Sequence, residues 1–94
     1  MAVALVFGTP SRAALATTRT KYTVPFSPCA VQFYCATSEI YVEWLNAADG
    51  TARGSDYETI PQGQKIQRTC RRGEFAVSAA AGTPAPEIIA EPLS

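Results

Sequence analysis

Hydrophobic and polar residues alternate through the middle of this chain. In "CAVQFYC", Cys29, Val31, Phe33 and Cys35 share one parity, and Ala30, Gln32 and Tyr34 share the other. "EIYVEWLN" repeats the pattern, setting Ile40, Val42 and Trp44 against Glu39, Tyr41 and Glu43. A period of two, rich in β-branched and aromatic side chains, marks a strand with one face in a core. Shorter runs of the same kind follow in "RTKYTVPF", "YETIP", "QKIQRTC", "EFAVSAA" and "EIIAE". Turn-forming residues separate them: Pro25 to Pro28, Asp49-Gly50, Gly54, Pro61, Gly63, Gly73 and the "GTPAP" of residues 82–86. No segment holds a 3.6-residue period over three turns, so no helix is expected.

This rhythm predicts an all-β fold: a single antiparallel β-sandwich, jelly-roll-like, over residues 19–94. Strands are expected near 20–25, 30–36, 39–45, 57–60, 64–70, 74–80 and 87–91. The expected core holds Val31, Phe33, Ile40, Val42, Trp44, Ile66, Phe75, Val77 and Ile88. Residues 1–18 are rich in Ala, Thr and Ser and contain a Gly-Thr-Pro break. They read as an extended N-terminal arm outside the core, with a short strand at residues 3–7.

At 94 residues the chain is one small domain. Only about 60–65% of an unfolded chain's surface is buried at this size, so association with a partner or another copy is a natural source of stability. Eight basic and eight acidic residues cancel. A neutral total argues against a polyanion binder and leaves little repulsion between copies. There is no histidine, which removes the commonest general base and zinc ligand. The apolar start, Ala2 to Phe7, lacks a basic flank and is broken by Gly8 and Pro10, unlike a secretory signal. No run approaches the roughly 20 apolar residues of a membrane-spanning helix. A soluble chain made in the cytoplasm is expected.

The cysteines raise the sharpest question of chemistry. On one strand Cys29 and Cys35 stand about 20 Å apart, too far to bridge. Zinc needs four ligands, and only Cys70 remains to join them. All three read as buried thiols. A disulfide from Cys70 to either of the others stays open if their strands are neighbours.

Other candidates are weaker than their structural explanations. Glu39 and Glu43 would stand about 13 Å apart along a strand, beyond the spacing of a glycosidase carboxylate pair. Lys65, Arg68, Arg71 and Arg72 form a basic cluster, better suited to an acidic protein surface than to nucleic acid in a neutral chain. Trp44 belongs by parity to the core, leaving Tyr34 and Tyr41 as candidates for binding a sugar or receptor. No phosphate loop, metal set or activated nucleophile can be assembled, so no enzymatic activity and no cofactor is expected.

Residues 31–92 carry a resemblance. "VQFYCATSEIYVEWLNAADG" followed by "ETIPQGQKIQRTCRRGEFAVSAAAGTPAPEIIAEP" resembles the small β-sandwich accessory virion proteins of tailed bacteriophages. The resemblance implies a structural virion component, chiefly a capsid decoration or cement protein. Its partners would be the major capsid protein or other virion proteins, often with trimers or other symmetric homo-oligomers. It also admits a neck, tail or fibre component, and a carbohydrate- or receptor-binding module is the rival from another class. Under the structural reading, the contact residues are Val3, Leu5 and Phe7 in the arm, Leu93 at the end, and Arg71 and Arg72 at a turn.

Overall fold

The computed structural model describes residues 2–93, which form eight strands in two sheets and no helix. The strands are β1 (Val3–Ala4), β2 (Thr20–Thr23), β3 (Cys29–Tyr34), β4 (Ile40–Glu43), β5 (Glu58–Ile60), β6 (Ile66–Cys70), β7 (Glu74–Ala79) and β8 (Glu87–Pro92). The larger sheet has the order β1-β2-β7-β4-β5, and the smaller β6-β3-β8. Every pairing is antiparallel except that of β1 with β2. The chain changes sheet at every connection from β2 onward, apart from the β4–β5 link. None of the described residues forms a helix long and apolar enough to cross a membrane.

The period of two sets which residues go inside. In β3 the even burial rhythm puts Cys29, Val31 and Phe33 in the core, and in β4 Ile40 and Val42 join them. Phe75 of β7 is the aromatic hub between the layers. Its ring lies 5.6 Å from Phe33 of the other sheet, 5.3 Å from Tyr22 and 5.3 Å from Trp44. Aromatic pairs at such separations add directional attraction to their area burial. Of the expected core, Val31, Phe33, Ile40, Val42, Phe75, Val77 and Ile88 are fully enclosed. Trp44 and Ile66 are only partly buried and pack against the cluster from its rim. The reason is position: both stand where β5 and β6, the edge strands of their sheets, meet solvent.

The N-terminal segment, expected as an extended arm outside the core, contributes to the core. Leu5 and Leu15 are core residues, 5% and 1% exposed. β1 pairs with β2, and the Leu5 N–H donates to Thr23 O (2.8 Å). The segment then crosses to the other sheet. There Gly8 N–H donates to Ala90 O (2.9 Å), and Ser11 exchanges two backbone bonds with Ile88 (2.8 and 3.0 Å). It ends with Leu15 N–H on Pro84 O and Ala79 N–H on Ala16 O, both 2.8 Å. The segment covers the outer edge of β8, where unpaired N–H and C=O groups would otherwise be exposed. One side of the two-layered fold is thereby closed, and the side formed by β5 and β6 is left open.

Candidate functional site

On the open side, two residues connect the sheets. Glu58 of β5 accepts the indole N–H of Trp44 on Oε1 (3.3 Å) and the Nε–H of Arg68 from β6 on Oε2 (2.6 Å). Beside this bridge lies a cleft of about 270 Å³ lined by Trp44, Arg68, Thr69, Arg71 and Arg72. A second cleft, about 420 Å³, continues past Trp44 toward Leu45, Asp56, Tyr57 and Glu58. Arg71 and Arg72 sit at the exposed turn between β6 and β7. Neither has an ion-pair or hydrogen-bond partner among the described residues. The site therefore has an aromatic floor, one neutralised guanidinium and two free ones. That composition suits a partner's carboxylates and an apolar anchor, since Trp and Arg dominate the energetics of protein interfaces.

The outer face of the larger sheet is occupied by the chain itself. Residues 44–57 fold back across it without regular structure. Arg19 grips Glu43 with two bonds, Gly54 N–H donates to Glu43 Oε2 (3.1 Å), and Arg19 Nη1 reaches Thr51 Oγ1 (3.1 Å). A Cβ on Gly54 would come within 3.2 Å of Glu43 Oε2 and 3.3 Å of Arg19 Nη2, so the close approach favours glycine. Arg53 donates to Ala79 O (3.2 Å) and stacks its guanidinium 4.4 Å from the Tyr41 ring centroid and 5.3 Å from that of Tyr57. Beneath it the small residues Ala76 and Ser78 of β7 are buried although they face outward. The Tyr41 hydroxyl donates to Glu39 (2.6 Å), and that bond is the chief cause of its raised pKa.

The third cluster is the cysteines. Cys29 and Cys70 stand directly opposite each other on β3 and β6, both completely buried. Burial pushes the Cys29 thiol up to about 11, with the neighbouring Cys70 thiol adding to the shift. Cys35 is apart, its sulfur 3.8 Å from Thr37 Oγ1. No group of three or more potential metal ligands exists among the described residues.

The structure scatters several residues singled out from the sequence. Glu39 and Glu43 are unrelated: one is exposed beside Tyr41, the other buried against Arg19. Tyr34 lies on β3 of the smaller sheet, with Lys65 Nζ 6.0 Å from its ring, while Tyr41 lies on β4 of the larger sheet. Both carry the outward parity of their strands, so the two rings do not share a face. Leu5 is buried, whereas Val3 and Phe7 are half-buried; Phe7 meets Phe26 edge to face at 4.8 Å. Val6, Phe26 and Leu93 are the well-exposed apolar residues of the two termini and the β2–β3 connection, at 62%, 58% and 47%. Arg71 and Arg72 are brought together with Trp44 and Arg68. The place of Trp44 in that cleft was not visible from its parity, which assigns it to the core. The signal that it belongs at the rim is its position one residue beyond the last paired residue of β4.

No family model, no curated protein and no solved structure matches this chain.

Proposed function

We propose that this chain is a non-catalytic structural module that attaches to a protein lattice through the open side of its fold. The observation that carries the reading is the pair of unpartnered arginines, Arg71 and Arg72, set beside the half-buried ring of Trp44. Exposed guanidiniums around a tryptophan form the kind of anchor that protein interfaces use. They stand on a framework whose opposite side is sealed by the N-terminal segment. The neutral total charge and small core agree with a chain that gains stability on binding. The lattice in question is a virion shell, and the chain a jelly-roll-like capsid decoration or cement protein. The strand-and-turn resemblance of residues 31–92 supports that finer reading.

A carbohydrate-binding surface has less in its favour. Arg53 already covers Tyr41 and Tyr57, and Tyr34 is on the other sheet. The test is quantitative mass spectrometry of purified particles from the source. Copy number near that of the major shell subunit, or a simple fraction of it, supports decoration. A handful of copies moves the chain to the neck, tail or a fibre. Absence from particles overturns the virion reading.

A further inference from the structure

Cys29 is the first residue of β3, and Cys70 the last of β6. They are direct cross-strand partners in an antiparallel pair. Residues so placed have Cα atoms about 4.5–5.5 Å apart and side chains on the same face. A disulfide requires Cα atoms about 4.4–6.8 Å apart, a range that includes this spacing. Both side chains point into the core and neither is exposed. The third thiol has no such relation. Cys35 lies beyond the far end of β3, about 20 Å from Cys29 along an extended chain, and its carbonyl is held by Gly63 N–H.

The pair also sits where a cross-link would matter. β6 is an edge strand, held to the smaller sheet on one side only by β3. The β3–β6 register ends at Cys29 and Cys70, and Arg71 and Arg72 follow at once. A bond there would fasten one end of the edge strand and close a loop that includes β3, β4, β5 and β6. An edge strand can also open locally, which gives a reagent its route to thiols that are otherwise enclosed.

We propose that Cys29 and Cys70 are an oxidation site that closes to a disulfide by exchange with a low-molecular-weight disulfide, and that Cys35 stays a thiol. The thiolate of the pair first exposed attacks one sulfur of the reagent RSSR, forms a mixed disulfide and expels RS⁻. The second thiolate attacks the protein sulfur of that mixed disulfide and expels the other RS⁻. Two protein thiols are oxidised, one RSSR is reduced to two RSH, and the two thiol protons end on the released thiolates.

The reduced chain is refolded from denaturant with oxidised glutathione in mildly alkaline buffer, and in parallel the folded protein is incubated with the same reagent. Both products are denatured, alkylated and mapped by proteolysis and mass spectrometry. The expected refolded product carries one alkylated cysteine, Cys35, and one linked peptide pair, Cys29 with Cys70. It melts on the order of ten degrees above the reduced form, because the closed loop is long. The folded protein gives the same link more slowly, and a little denaturant speeds it. Cys35→Ser leaves the link intact. Three alkylated cysteines after refolding, or any link through Cys35, would overturn the proposal.

Discussion

Glu43 receives both arms of the Arg19 guanidinium, with Nε 3.0 Å from Oε1 and Nη2 2.9 Å from Oε2. The carboxylate is 1% exposed and the arginine 16%. This pair fastens residues 44–57 to the outer face of the larger sheet, because Gly54 and Thr51 bond to the same two side chains.

The carboxyl of Glu43 is held below its usual value of 4.5, first by its hydrogen bond to Arg19 and then by the Gly54 N–H, against the opposing effect of burial. A depressed folded-state value contributes stability that is complete above the unfolded value and lost as pH falls through the folded one. Urea denaturation should therefore show part of the stability present at neutral pH disappearing below about pH 4.5. Glu43→Gln should remove that part of the acid sensitivity and cost about 2 kcal/mol at neutral pH. A variant as stable as the wild type, with the same acid profile, would mean that the pair does not hold the loop.

The buried leucines of the first sixteen residues make a different prediction from that of a detachable arm. Leu15→Ala should lower stability by about 2–4 kcal/mol, the range for emptying a buried leucine site. In a domain this small that is a large share of the total. Removing residues 1–18 should unfold or aggregate the chain, because β8 would lose its edge cover along with two core side chains. Circular dichroism and thermal melts of both variants decide the matter. A truncated chain melting like the intact one would restore the arm as a separate piece.

Tyr22 is wholly enclosed, and its hydroxyl has no hydrogen-bond partner among the described residues. Burial raises its pKa to about 12, tempered by the neighbouring Ser11 side chain. An enclosed hydroxyl without a partner is a cost to folding. Tyr22→Phe keeps the ring parallel to Phe75 at 5.3 Å and removes that cost. The variant should be more stable, by up to about 1 kcal/mol, in chemical denaturation. A loss of stability would show that the hydroxyl is satisfied after all.

What the sequence displays is the set of elements with strict alternation. β3 and β4 are legible because each inward residue is apolar and each outward one is small or carries a polar group, so the period of two has no competitor. The place of Leu5 and Leu15 is not legible in this way. Nine residues separate them, the backbone between is irregular, and their burial is decided by bonds to Thr23, Ala90, Ile88 and Pro84, far along the chain. The cysteines show the same limit. Cys29 reads as buried from the parity of its strand and Cys70 from its residue type, but only the pairing of β3 with β6 makes them opposite. Glu43 misleads for a related reason: its outward parity is correct, but residues 44–57 return to cover it.

The cleft on the open side separates folding from binding by residue. Arg71 and Arg72 are exposed and unpartnered, so Arg71→Glu and Arg72→Glu should leave the urea midpoint nearly unchanged, within about 0.5 kcal/mol. Attachment to an acidic partner surface should fail in the double variant and weaken with added salt in the wild type. Trp44 behaves differently because it does two things. Its ring packs on Phe33 and Phe75, and its N–H bonds Glu58. Trp44→Ala should cost about 3 kcal/mol in stability, whereas Trp44→Phe keeps most of the packing and gives up one hydrogen bond of about 1 kcal/mol. As the chain's one tryptophan, it reports directly: a partner seated in the cleft should change its fluorescence in the wild type. The same addition should change nothing in the double arginine variant. A partner that binds without altering the Trp44 signal, and binds the double variant equally well, would place the contact on another surface.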